Sequence, residues 1–288
     1  MRMVGGTWSA RAVRGRTVWA GGAGHPDRMT DPVRLPPNLP DDQLPRVLGE
    51  ALTGLYTGEP RLPARVGGRT AGLAALHAWT GEGYAGRNFL GGNVSRLSMY
   101  LRHGTLGLRE VAAHARAVMR GRERDEFLRQ LTWAEFYRLV LRQEGARVLG
   151  NLEDPKYPAR WVGTLPDDVR EARTGLPCAD AWVTHLIRDG WLHNHERLWF
   201  AAYLVHWRGV DWRSGYALFR EHLLDGDIAN NALSWQWVAS TFSNKPYFMN
   251  QENIDRFSGG RWCRTCRAEC PFRASYGELE TQLFGTRP

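Results

Sequence analysis

Lysine is almost absent from this chain. Of 38 basic residues only Lys156 and Lys245 are lysines, so arginine carries the positive charge. Against 30 acidic residues the formal net charge is +8. Arginine meets phosphate oxygens with a planar fork, so a polyanion is one partner this surface suits; a solubilising coat is the other reading. Long apolar runs are also missing. No stretch of about 18 apolar residues occurs, which argues against a transmembrane helix and any membrane partner. Residues 1–28 lack the apolar centre of a secretory signal and carry no acid before Asp27. They read as a leader, or as sequence ahead of a start at Met29, with a transit peptide as the formal alternative. Cysteines number four, too few for a secreted disulfide scaffold. The expected location is therefore the cytoplasm. Alternating strand patterns and internal repeats are lacking as well.

Tryptophan is what the chain has in excess, at 13 of 288 residues. Trp fills cores and interfaces, and it stacks on flat ligands. After a Pro-rich extended stretch, Leu35 to Pro40, helical spacing dominates. Short helices are expected from Asp41 to Tyr56 and from Gly67 to Trp79. Others follow at Leu97–Leu101 and over Leu108–Met119. Asp125 is a candidate N-cap for a helix through Phe127, Trp133, Phe136 and Leu141, apolar on most sides and so expected to be central. Residues 151–173 read as irregular. Helical patterns return at Ala179–Asp189, His195–Trp207, Trp212–Leu224 and Asn231–Ser240. The fold class expected is all-α.

The densest polar cluster lies inside this apolar pattern, at Asp225, Asp227, Asn230, Asn231, Trp235 and Trp237. Polar groups in an apolar setting need partners, so such a cluster either caps a helix or holds a polar ligand. Arg197, in another apolar helix, is a ready partner for Asp225. Asn231 stands one turn beyond Asp227 on the same face. Ser95-Arg96-Leu97-Ser98, after Gly91-Gly92, reads either as a capped helix start or as an anion cradle. Cys263, Cys266 and Cys270 have the spacing of zinc or iron–sulfur ligands, yet three thiolates leave such a site one ligand short. The alternative is a reduced, Arg-rich tail.

Thr174-Gly175-Leu176-Pro177 with Asp180-Ala181, then Gly190-Trp191-Leu192-His193-Asn194, Arg197, Asp211-Trp212-Arg213 and the Asp225–Trp237 block, closely resemble the FAD-binding helical domain of the photolyase/cryptochrome family. Tyr84, Arg87-Asn88, Ser95–Ser98 and Leu131–Tyr137 match more loosely. The resemblance covers roughly residues 70–250. It divides the chain into a leader and linker (1–69), the FAD domain (70–250) and a cysteine-containing tail (251–288).

The resemblance implies bound FAD, with Tyr84, Ser95, Leu97, Ser98, Gln130, Asn194, Arg197, Asp225, Asp227 and Asn231 as its contacts. Asn231 falls at the position facing flavin N5. Trp235, Trp212 and Trp161 match the family's electron-hopping tryptophans, and Trp133, Asn194 and Trp237 its lesion pocket. The implied activity is that of a deoxyribodipyrimidine photo-lyase, a carbon–carbon lyase that splits pyrimidine dimers in damaged DNA with light. A cryptochrome-like photoreceptor is the alternative. Residues 1–69 are too short for the family's α/β antenna domain, so no antenna chromophore is expected. Gln130 stands where many relatives have a lesion-contacting Glu, and Ala134 where they have Arg. His195 and Met249 replace basic residues of the DNA-facing surface. The cysteine tail is similar to that of iron–sulfur members, but their remaining ligand would fall near Tyr216.

Overall fold

The structure is a computed structural model that describes residues 36, 38–55, 58–159 and 161–285. The leader, the start at Met29 and Tyr56 lie outside the described residues. The chain divides into two units, 1–62 and 63–288. In the first, a 3-10 turn (Asp41–Gln43) runs into α1, Leu44–Ala51. Pro45 sits in its first turn, where a missing N–H leaves no bond unmade.

The second unit is helical. Its elements are α2 (Gly68–Ala78), α3 (Ser98–Arg102), α4 (Leu108–Val118), α5 (Gly121–Glu144), α6 (Asp167–Arg170), α7 (Pro177–Asp189), α8 (Asn194–Ala202), α9 (Trp212–His222), α10 (Ile228–Ala239), α11 (Gln251–Ser258) and α12 (Tyr276–Phe284). Among the described residues there is no strand, only an isolated parallel bridge between Val162 and Val210. The all-α expectation holds. No helix among the described residues is long and apolar enough to cross a membrane.

Short polar side chains set the helix starts. Thr174 gives both its N–H (2.8 Å) and hydroxyl (2.7 Å) to the Asp180 carboxylate, which clasps the loop ahead of α7. At α8, His193 Nδ1 accepts the His195 N–H (3.1 Å) while Glu196 accepts the His193 N–H (3.0 Å), a reciprocal cap. Asp211 caps α9 and Asp227 caps α10.

The long helix α5 departs from expectation. It starts at Gly121 behind Arg120, so Asp125 lies within it and pairs with Arg124 at 2.9 Å instead of capping. Nor is it central. Phe127 is its one buried residue, while Trp133, Phe136 and Leu139 are exposed. Its apolar residues are spread around the helix because one face lines a cavity and its mouth.

Two apolar cores form. The smaller joins Leu76, Trp79, Tyr84, Leu97, Val111 and Phe127 from α2 to α5. The larger runs from Leu165 to Phe272 and completely buries Trp182, Trp199 and Trp212. Residues beyond 250, expected as a tail, form α11 and α12 and bury Ile254, Trp262, Phe272 and Leu279.

A π-helical turn, Tyr203–Trp207, extends α8 and carries His206. Its Nε2 donates to the carbonyls of Val238 (3.2 Å) and Tyr247 (3.0 Å), which leaves Nδ1 to accept from the Tyr157 hydroxyl at 3.1 Å. Burial lowers its pKa from 6.5 to about 4, against the smaller upward pull of the two carbonyls. The folded pKa lies below the unfolded one, so the unfolded chain binds the proton more readily between those values. Stability from this residue is present above pH 6.5 and lost as pH falls through about 4. The full shift corresponds to about 3 kcal/mol. Urea melts at pH 7 and pH 4 check this: wild type should lose stability by that order beyond His206→Gln, whose curve should be flatter in the same window.

Candidate cofactor site

The seam between the two cores holds two cavities of about 580 and 230 Å³. Ser98, Asn194, Arg197 and Asp225 line both, so the two are continuous along α3, the start of α8 and the turn before α10. Every residue expected to contact a cofactor lines one or the other. Tyr84, Ser95 and Leu97 face the smaller; Gln130, Asp227 and Asn231 face the larger.

Arg197 and Asp225 form the centre. The guanidinium meets Asp225 Oδ2 at 2.9 Å, with the carboxylate side chain 5% exposed. Arg197 is steadied by its Nε, which donates to the Leu192 carbonyl at 3.0 Å. Asp225 Oδ1 is buried and has no hydrogen-bond partner. Asp225 lines both cavities, and a buried carboxylate oxygen without a donor calls for an explanation. Asp227 is different. Its two oxygens take the backbone N–H (2.5 Å) and side-chain amide (2.6 Å) of Asn230, so both cap α10. Of the two readings open at this cluster, capping describes Asp227 and the buried pair describes Asp225.

Asn231 is 8% exposed and donates its amide nitrogen to the Tyr216 carbonyl at 3.2 Å. Its amide oxygen is the atom left for a ligand. Behind it, the Trp235 ring presses on α9 where residue 215 is glycine. A Cβ there would lie 2.1 Å from the indole, so any other residue would displace Trp235. Neither Trp212 nor Trp161 lines either cavity. Trp212 is fully buried and gives its indole N–H to Asn151 at 2.8 Å; Trp161 is half-buried against the same core.

The larger cavity opens between Trp133 and Trp237, which are 47% and 38% exposed. Trp133 packs edge-on to Phe136, and Phe136 stacks on Phe242 at 6.3 Å. Sequence reasoning missed Arg102, Tyr137 and Arg138, which also line it. The signal was available for two of them: Gln130, Trp133, Ala134, Tyr137 and Arg138 follow the i, i+3, i+4, i+7, i+8 spacing of a single helix face. Arg138 sets a guanidinium one turn beyond Ala134, donating to the Leu101 carbonyl at 3.2 Å. Gln130 donates to Glu126 at 2.7 Å, and Glu126 also pairs with Arg87 and Arg129. Burial raises the Glu126 pKa, but these hydrogen bonds and charges outweigh it and hold the group ionised.

Three expectations need correcting. His195 and Met249 do not belong to a DNA-facing surface. Met249 is fully buried, and His195 stacks on Phe257 at 4.9 Å, where burial lowers its pKa to about 4 and keeps it neutral. No group of three or more His, Cys, Asp or Glu able to hold a metal occurs among the described residues, so the metal expectation for Cys263, Cys266 and Cys270 finds no support. The thiols are free, and burial raises the pKa of Cys178 to about 12 and of Cys263 to about 11.

A family profile described as the FAD binding domain of DNA photolyase matches residues 127–260. A deoxyribodipyrimidine photo-lyase of Halobacterium salinarum is 38% identical over 169 residues, 54% of this chain and 34% of that protein. One from Streptomyces griseus is 33% identical over 244 residues, 81% of this chain and 49% of that protein. A Synechocystis cryptochrome structure superposes with a TM-score of 0.60 at 25% identity, covering 66% of this chain and 43% of that one. The chain thus spans half or less of these relatives' length. The segment that matches the FAD binding domain of DNA photolyase, residues 127–260, supplies Gln130, Asn194, Arg197, Asp225, Asp227 and Asn231 to the seam between the two cores.

Proposed function

We propose that this chain binds FAD along the seam and, in the cytoplasm, uses it for light-dependent repair of pyrimidine dimers in DNA. The observation that carries the cofactor reading is the buried, unpartnered Asp225 Oδ1 beside Arg197. The relatives named photo-lyase support the repair reading. The flavin-binding unit is assigned to residues 70–250, buttressed by the helices that follow.

When bound, FAD supplies a ring that absorbs blue light and exchanges single electrons. The chain does the rest. Asp225 would accept a hydrogen from the ligand, and Arg197 holds its carboxylate in place through the 2.9 Å contact. Ser95, Leu97 and Ser98 border the phosphate end, Tyr84 flanks it, and Asn194 bridges the two cavities. Asn231 offers a neutral acceptor, so no negative charge is set against an electron-rich ring. Trp235 lines the cavity, Trp212 is fully buried and Trp161 half-buried, and the three would supply electrons to the flavin from outside. Trp133 and Trp237, half-exposed at the mouth, suit stacking on bases turned out of the duplex. Arg102 and Arg138 add positive charge beside them, which suits a phosphate backbone.

One observation favours a photoreceptor without repair: the mouth presents a Gln130 amide, already held by Glu126, and the methyl of Ala134. Blue-light loss of dimers from an oligonucleotide distinguishes the two. The repair reading expects that loss in the FAD-loaded protein. Photochemical flavin bleaching with dimers untouched would leave the photoreceptor.

Two substitutions test the parts separately. Asp225→Asn should weaken FAD retention at least tenfold, on the order of the 1.5–3 kcal/mol of a charged hydrogen bond, read by fluorescence titration beside a thermal melt. Trp133→Ala should leave flavin content unchanged and weaken binding to dimer-containing DNA about tenfold, as loss of one stacking platform does. Equal DNA affinity in that variant would remove Trp133 from the pocket.

A further inference from the structure

Behind the smaller cofactor cavity lies a second cleft of about 730 Å³. The two share a wall made of Arg96, Trp191 and His193. Four arginines line the cleft, Arg65, Arg96, Arg188 and Arg261, against two carboxylates, Asp189 and Glu196. Both carboxylates are occupied. Asp189 holds Arg188 through two contacts of 2.6 Å. Glu196 caps α8 through the His193 N–H and accepts from His185 at 3.1 Å. Arg65, Arg96 and Arg261 make no ion pair among the described residues.

Arg96 is the most constrained of the three. Its backbone takes φ +50°, a left-handed conformation that side-chain-bearing residues rarely adopt. That turn of the chain lays its guanidinium over the Trp191 ring at 4.3 Å, on the cleft side of the shared wall. Burial and the like charge of Arg65 lower its pKa, while Asp189 and Glu196 pull it back up. Four arginines against two carboxylates, both of them hydrogen-bonded to other partners, leave a net positive cleft that an outside anion would balance.

Guanidinium forks match phosphate oxygens better than they match a point anion. A volume of this size, well beyond one phosphate, falls in the range of small-molecule sites. We propose that the cleft walled by Arg65, Arg96 and Arg261 is a second ligand site, for a phosphate-bearing small molecule of nucleotide size. The site is separate from the flavin cavity and requires no light. Because Arg96 lies between Ser95 and Leu97 and lines both cavities, its occupant and the cofactor would bear on one backbone segment.

Calorimetric titration of FAD-loaded full-length protein with ADP, and separately with inorganic pyrophosphate, tests this. One saturable site per chain is expected for at least ADP. Arg65→Glu combined with Arg261→Glu should weaken it at least tenfold while flavin absorbance and the thermal melt stay unchanged. If that pair of changes impairs folding, Arg65→Gln alone should weaken binding at least threefold, and raised salt should weaken it in wild type. Absence of saturable heat, or affinity indifferent to these substitutions, overturns the proposal. So does displacement of ADP by excess FAD, because the nucleotide would then be in the cofactor cavity. If the protein takes up no FAD at all, the flavin reading fails, while ADP binding lost on the Arg65/Arg261 changes would still uphold the cleft.

Discussion

The ion pair between Arg197 and Asp225 is the constraint on which the rest of this architecture depends. It spans 2.9 Å at the seam of two apolar cores, and its carboxylate is almost wholly shielded from water. Removing one partner of such a pair leaves an uncompensated buried charge and costs about 3–5 kcal/mol. Each partner is therefore fixed by local structure. The reciprocal cap at His193 and Glu196 sets the start of α8 and the Leu192 carbonyl holds Arg197, while Asp227 caps α10 just beyond Asp225. A pair held for stability alone would have both carboxylate oxygens satisfied. One is not, in a residue that lines both cavities.

Most of the helices were legible because their apolar spacing faces a core: α2, α4 and α9 occur within a few residues of where the pattern puts them. The failure at α5 is physical. Periodicity reports which residues avoid water in some state of the molecule, without saying whether another helix or a ligand covers them. Trp133, Phe136 and Leu139 belong to a face that no other helix covers. The cysteine spacing misled for a related reason. Spacing along the chain allows ligands to converge without requiring it, and no group able to hold a metal occurs among the described residues, where Cys263 and Cys270 pack against the larger core.

The cluster at Asp225, Asp227 and Asn231 stood out in sequence because polar groups lie there in apolar surroundings, while Tyr84, Ser95, Gln130 and Asn194 came from the family resemblance; all of them line the two cavities. What the sequence left undivided was the role of neighbours. Asp225 and Asp227 look equivalent two positions apart, and only hydrogen-bond geometry separates the acceptor from the cap. Arg138 was missed for the opposite reason: an arginine on an Arg-rich helix gives no contrast, and its place is fixed by the one-face spacing from Gln130.

The same contrast argument bears on the surface. With 36 arginines and two lysines, basic charge by itself marks nothing on this chain. Its arginines differ in what they face. Arg188, Arg208 and Arg213 are answered by carboxylates within 2.6–2.8 Å, which fixes them as structural clamps. Among the described residues, Arg102 and Arg138 donate to the backbone carbonyls of Gly226 and Leu101 beside the cavity. A carbonyl orients a guanidinium without neutralising it, so these two keep their charge available beside Trp133 and Trp237. Positive charge that is oriented, unneutralised and flanked by half-exposed indoles is what an extruded base on an anionic backbone requires. An excess of arginine alone would not supply it.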